Sequence, residues 1–230
     1  MCGRFTNFHT WAEIHRMYSL TRQQDIGRNT EARYNIAPTQ TVPIVTLDAE
    51  GKQIVQDARW NLVPWWAKEI PKQFMINARI ETVATSGAFK DAFRQKRCLI
   101  PADGFYEWTV SEADKGKDPW HIFLPDHEPF SFAGLWAHND KLDITSCTII
   151  TMAAGDPMRT LHDRQPIILD RDIYAAWLDP ETPPEDALQL LHENLDQDLE
   201  FYRVDRAVNA STREKQRNDD PSMIVPINLL

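Results

Sequence analysis

Two hydrophobic periods run through the chain. The commoner is a short run rich in Val, Ile, Leu, Phe and Trp, closed at each end by Gly, Pro, Asp or Asn, which predicts a strand. Such runs fall at 42–47, 54–62, 97–100, 104–110, 121–124, 130–136, 144–152 and, at the end of the chain, 223–227. The rarer is helical spacing. Thr10-Trp11-Ala12-Glu13 reads as a capping box opening a helix that carries Ile14, Met17 and Tyr18. Thr182-Pro183-Pro184-Glu185 reads as a second, leading into Leu188 and Leu191, with proline in the first turn where its missing N–H costs nothing. Phe89 and Phe93 place a helix at about 86–95, and Ile173 and Trp177 place one at about 171–178. Strands do not alternate singly with long helices, so a doubly wound parallel sheet is not expected. The pattern predicts an α+β fold: a single domain over 1–230, with curved, mainly antiparallel, barrel-like sheets and a few peripheral helices.

Composition narrows the class. The chain has 230 residues, 42% of them hydrophobic and 26% charged, enough for a sizeable core without covalent staples. It has no apolar run of about 18 residues, so no membrane partner is expected, and its start lacks the apolar segment of a secretory signal. Its three cysteines, Cys2, Cys98 and Cys147, are odd in number and lack Cys-x-x-Cys spacing. That argues against a disulfide framework and for a reducing, cytoplasmic setting. Cys98 and Cys147 lie in apolar runs and read as core. The net charge of −9 disfavours a protein that coats nucleic acid, so any nucleic-acid contact must rest on a few local cations.

Four stretches hold candidate chemistry. In Met1-Cys2-Gly3-Arg4-Phe5, removal of Met1 makes Cys2 the N-terminus. A thiol and an α-amine then sit on adjacent carbons. The amine, with an ordinary pKa of roughly 7.7–8.0, is partly neutral near pH 7. It can form a Schiff base with an aldehyde, and the thiol can close that imine to a five-membered thiazolidine. The alternative is a small buried hydrophobe near a terminus. In Met75-Ile76-Asn77-Ala78-Arg79-Ile80-Glu81-Thr82, Asn77 follows an apolar pair and needs partners, either as a turn residue or in a site. In a strand, Arg79 and Glu81 share a face and can pair. In Pro101-Ala102-Asp103-Gly104-Phe105-Tyr106-Glu107-Trp108, Asp103-Gly104 is a turn signal. Glu107 sits among aromatics, where desolvation would raise its pKa toward that of a general acid or base, unless it faces solvent. In Thr160-Leu161-His162-Asp163-Arg164-Gln165-Pro166, His162 has the richest polar setting of the histidines and is either a proton shuttle or an exposed loop residue.

Together these blocks resemble a known family. "MCGRF", "RYNIAP" at 33–38, "WNLVPWW" at 60–66, "INARIET" at 76–82, "KRCLIPADGFYEW" at 96–108, "FAGLW" at 132–136 and "LHDRQP" at 161–166 are closely similar, in order and spacing, to the SRAP (SOS response-associated peptidase) family, also called abasic-site processing proteins. The resemblance implies a protein that senses abasic sites in single-stranded DNA and at junctions with duplex, and traps the ring-opened deoxyribose aldehyde on Cys2 as a thiazolidine. It implies proton shuttling by Glu107, orientation of Cys2 and the sugar by Asn77, ring opening and crosslink reversal by His162, and a pocket wall at Thr151. It assigns phosphates to Arg4, Arg79 and Arg164, and base stacking or wedging to Pro38 with Trp65 or Trp66. No metal or organic cofactor is implied, and a monomer is expected. Two positions depart from the family pattern: Asn61 where glycine is usual, and Gln165 where methionine is usual.

Two other functions stay open on the residues. One is a thiol peptidase using Cys2 with His162 as base, with self-processing among its activities. The other is a non-covalent module for single-stranded or junction DNA.

Overall fold

A computed structural model of the chain describes residues 2–18, 31–195, 198–210 and 218–227. It is built from thirteen strands and four α-helices among the described residues, in two sheets.

The first sheet is antiparallel and runs β13 (Glu200–Arg203), β8 (Lys117–Phe123), β7 (Gly104–Val110), β1 (Phe5–Asn7), β2 (Arg33–Ile36). The second closes on itself. Here β10 (Ile144–Ala153) pairs β4 (Gln53–Trp60), β4 pairs β3 (Thr41–Leu47), β3 pairs β6 (Arg97–Ala102), β6 pairs β9 (Phe130–Asn139), and β9 returns to β10. The result is a five-stranded, barrel-like ring. Three short strands extend it: β5 (Asn77–Arg79) and β11 (Arg164–Pro166) on β10, and β12 (Ile168–Leu169) on β9. The fold is therefore α+β and largely antiparallel, as the pattern predicts. Two pairings, β10 with β4 and β10 with β5, are parallel.

One core cluster lies between the sheets. Phe5 and Phe105 of the first sheet pack with Trp60, Phe132 and Cys147 of the barrel, and Cys2 belongs to this cluster. Phe5 meets the Trp60 ring edge-on, with centroids 5.1 Å apart, a favoured aromatic geometry. A second cluster seats the helices on the barrel's other side. It includes Ile14 of α1 (Trp11–Met17), Phe93 of α2 (Lys90–Gln95), Trp177 of α3 (Tyr174–Leu178) and Ala187 of α4 (Pro184–Leu190).

The first capping box forms as read: Thr10 accepts from the Glu13 N–H, and the Glu13 carboxylate accepts from the Thr10 N–H at 2.7 Å. The second does not. The N-cap of α4 is Pro183, and the Thr182 hydroxyl instead donates to the Ala176 carbonyl at 2.8 Å. The helix expected at 86–95 is α-helical only over Lys90–Gln95, after turns. The one at 171–178 divides into a 3-10 turn, Arg171–Ile173, and α3. The strand expected at 223–227 is absent. Asp220 caps a 3-10 helix, Pro221–Ile224, and only an isolated bridge from Pro226 to Val204 follows. Proline in the first turn with an Asx cap outweighs the alternation of Met223, Val225 and Ile227. Among the described residues, no helix is long and apolar enough to cross a membrane.

Candidate active site

Residue 2 lies where the two sheets meet. Cys2 is fully buried, and its Sγ is 3.9 Å from the Arg4 carbonyl. From the barrel side, β5 presents Asn77, whose Nδ2 donates to the Cys2 carbonyl at 2.9 Å. The Asn77 Oδ1 is buried without a hydrogen-bond partner among the described residues, an acceptor left open beside Cys2. From the other side, β7 brings in Glu107, which is 2% exposed.

The electrostatics tie the group together. Burial pushes the Glu107 carboxyl above its ordinary range, and nearby positive charge, His162 included, offsets part of that. Burial, followed by the charge of Glu107, pushes the Cys2 thiol well above its ordinary value. Glu107 is thus a buried carboxyl shifted toward its neutral form, not the solvent-facing glutamate of the alternative reading. His162 stands in the loop before β11, partly buried. Its Nδ1 accepts from the Arg164 N–H at 2.9 Å and lies 2.9 Å from the Asp163 carboxylate. Four expected chemical residues, Cys2, Asn77, Glu107 and His162, are therefore neighbours in space although they span most of the chain.

Around them lie the residues expected to hold DNA. Thr151 of β10 is buried opposite Arg79 of β5. Arg79 is exposed. Arg164 is engaged: Nη1 and Nη2 grip the two oxygens of Glu81 at 2.5 and 3.1 Å, and Nη2 also donates to the Thr151 carbonyl at 2.8 Å. The expected Arg79–Glu81 pairing is thus replaced by Glu81–Arg164. β5 ends at Arg79 and the chain turns, so residues 79 and 81 do not share a strand face. Arg4 also departs from expectation. It is 9% exposed and donates to Asn35 Oδ1 at 2.6 Å and to the Val208 carbonyl at 2.9 Å. Its guanidinium supports β1 from within and is not a surface cation.

Trp65 and Trp66, in the connection between β4 and β5, are 63% and 53% exposed, a large apolar display for adjacent residues. Pro38 is half-buried in the turn between β2 and β3. Asn61 is buried and accepts from the Met75 N–H at 2.6 Å. It thereby ties together the two ends of the loop that carries both tryptophans, which glycine could not do. Gln165 accepts from the Gly155 N–H at 3.0 Å, joining β11 to the loop that follows β10.

The family model for SOS response associated peptidase (SRAP) matches residues 1–211. The chain belongs to the SRAP family. Among its SRAP relatives, the chain is 37% identical to the abasic site processing protein YoaM of Bacillus subtilis, over 91% of this chain and 93% of that one. It is 30% identical to the abasic site processing protein YedK of Escherichia coli, over 83% and 85%, and to the abasic site processing protein HMCES of Gallus gallus, over 100% and 79%. A crystal structure of a Bacteroides thetaiotaomicron protein superposes with a TM-score of 0.81 at 20% identity, covering 99% of this chain and 100% of that one, which shows the fold.

The sequence reading missed the reach of two residues of this SRAP chain. Glu81 closes on Arg164, 83 positions away, and no local signal announces that pair. Asp103 reads only as half of a turn, yet its side chain is fully buried. A carboxylate following the apolar run 98–102 was the available cue.

Proposed function

We propose that this protein recognises abasic sites in single-stranded DNA and at junctions with duplex, and captures them covalently on Cys2 once Met1 has been removed. The observation that carries the proposal is the convergence of Asn77 and Glu107 on residue 2: an amide bonded to its carbonyl at 2.9 Å and a buried carboxyl whose charge its thiol feels.

The chemistry is a condensation. The ring-opened deoxyribose offers an aldehyde at C1′. The neutral α-amine of Cys2 adds to it, and the carbinolamine loses water to give a Schiff base. The thiol then adds across the C=N bond: the S–C1′ bond forms, the thiol proton passes to nitrogen, and a thiazolidine closes. The net change is loss of one water, with no oxidation or reduction. Each step moves a proton, which suits Glu107, a buried carboxyl whose pKa is shifted upward by desolvation. Asn77 holds the Cys2 backbone so that amine and thiol approach the same carbon. His162 assists opening and re-closing of the sugar ring, and hence reversal. Thr151 walls the pocket. Exposed Arg79, and Arg164 once released from Glu81, bind the backbone phosphates, while Trp65 or Trp66 with Pro38 stacks on or wedges between flanking bases.

A thiol peptidase is the less favoured reading. Such enzymes need a depressed thiol pKa to supply thiolate, and the Cys2 thiol is shifted the opposite way. The test is Glu107→Gln. Removing the shuttle should slow crosslinking to abasic single-stranded DNA by about 100-fold, with affinity for an intact strand unchanged. An unchanged crosslinking rate would remove Glu107 from the mechanism.

A further inference from the structure

β1 carries residue 2 toward the site, yet little holds its register. It is three residues long, pairs β7 at only two positions, Phe5↔Phe105 and Thr6↔Gly104, and its pairing with β2 is irregular between Phe5 and Asn7. Register matters here. The Tyr106 N–H also bonds the Arg4 carbonyl at 3.0 Å, so the segment that carries Cys2 is anchored beside the residue that precedes Glu107. A slip of one residue in this pairing would shift the segment, and Cys2 with it, by about 3.3 Å along β7 and away from its place beside Glu107.

Asp103 is placed to prevent that slip. It lies in the bend between β6 and β7, directly before the first residue of β7, so its carboxyl is fixed to the β7 frame. Its hydrogen-bond partners are on the N-terminal segment. Oδ1 accepts from the Thr6 hydroxyl, Oδ2 accepts from the Phe8 N–H at 2.6 Å, and His9 Nε2 lies 3.5 Å from Oδ2. The Asp103 N–H donates to the Thr6 carbonyl at 3.2 Å. Gly104 is part of the same fit. A Cβ there would lie 2.3 Å from His121 Nε2 and 2.9 Å from Thr6 Oγ1, so a side chain would push β1 away from the carboxyl.

We infer that Asp103 is a positioning residue for the capture reaction, a register lock that joins β1 to β7 and so sets Cys2 against Glu107. The inference rests on the proposed capture of abasic sites for its functional consequence; its structural part stands alone. Asparagine can replace the clamp, because its Oδ1 accepts from the Phe8 N–H and its Nδ2 donates to the Thr6 hydroxyl oxygen. Leucine cannot.

The test compares Met1-free wild type, Asp103→Asn, Asp103→Leu and Thr6→Val on single-stranded DNA with one abasic site. At saturating DNA, Asp103→Leu and Thr6→Val should crosslink about 10-fold or more slowly. Their affinity for an intact strand should not change, and Asp103→Asn should stay within about twofold of wild type. Wild-type rates in folded Asp103→Leu and Thr6→Val would overturn the inference, as would rate losses matched by equal losses of intact-strand binding. If Asp103→Leu does not fold, Thr6→Val decides alone. Hydrogen exchange at the Phe8 amide gives a readout independent of DNA. Faster exchange in Asp103→Leu than in Asp103→Asn supports the clamp even if wild type forms no crosslink, a result that would count against the capture reaction. Equal exchange in the two variants would count against the clamp itself.

Discussion

At the scale of single residues, two buried carboxyls matter most, Asp103 and Glu107, and in both the cost of burying the charge outweighs the contacts that favour it. Asp103 is the clearest case. Burial lifts its carboxyl to about 7, against hydrogen bonds from Thr6 and Phe8 that pull it down. The groups around it are His9 at 3.5 Å, His121, whose Nε2 is 3.4 Å from Thr6 Oγ1, and Tyr106, whose own pKa is raised by burial and then by the Asp103 charge. A folded-state pKa above the unfolded one means that the native protein binds the extra proton. The stability from Asp103 is therefore complete below about pH 4 and is lost as pH rises through about 7. Asp103→Asn should flatten the wild-type stability–pH curve between those limits, where one proton supplies a slope of up to about 1.4 kcal/mol per pH unit. Urea melts at three pH values measure it; parallel curves would mean that Asp103 is charged throughout. Sequence alone raised Glu107 as a buried candidate because aromatics flank it. It left Asp103 as a turn residue because the partners that define it, Thr6 and Phe8, are 97 and 95 positions away.

At the scale of elements, legibility followed length. Every strand of six residues or more overlaps a stretch whose hydrophobic pattern predicts it, though β8 begins four residues before its run and β9 ends three after. Three of the strands at the site are shorter: β1, β5 and β11 have three residues each, too few to show a period of two. They exist because neighbours supply the ladder: β5 and β11 both lie on the ten-residue β10. Helix caps tell the same story in reverse. Thr10 and Glu13 form a reciprocal cap, so Thr10→Ala should cost about 1 kcal/mol. Thr182 fits the same motif but caps nothing, so Thr182→Ala should cost only the bond to Ala176, at the low end of about 0.5–1.5 kcal/mol. Paired denaturant melts check both, and equal losses would mean that Thr182 caps α4 in solution.

At the scale of the whole molecule, a closed barrel and an antiparallel sheet press a shared core together and leave the proposed capture site at their junction. The parallel β5–β10 pairing was not legible because it joins segments about 70 residues apart. With a net charge of −9, the proposed function has DNA held locally, by Arg79 and Arg164 against a repulsive background. Binding to an intact single strand should therefore show a shallow salt dependence, about 0.7 in log–log slope for each phosphate neutralised, and Arg79→Ala should remove about one such increment. Fluorescence anisotropy between roughly 50 and 200 mM salt measures it. A slope unchanged by Arg79→Ala would place the phosphates elsewhere.

The central claim is that residue 2 captures an aldehyde with two adjacent nucleophiles. The most direct test uses protein shown by mass spectrometry to begin at Cys2, beside a version carrying one extra residue before it. Each is mixed with single-stranded DNA containing one abasic site and run on a denaturing gel. The account predicts a shifted band for the first protein, none for the second and none for Cys2→Ala. A stable band from the extended protein, where the thiol remains but the amine has moved, or no band from the processed one, would contradict it.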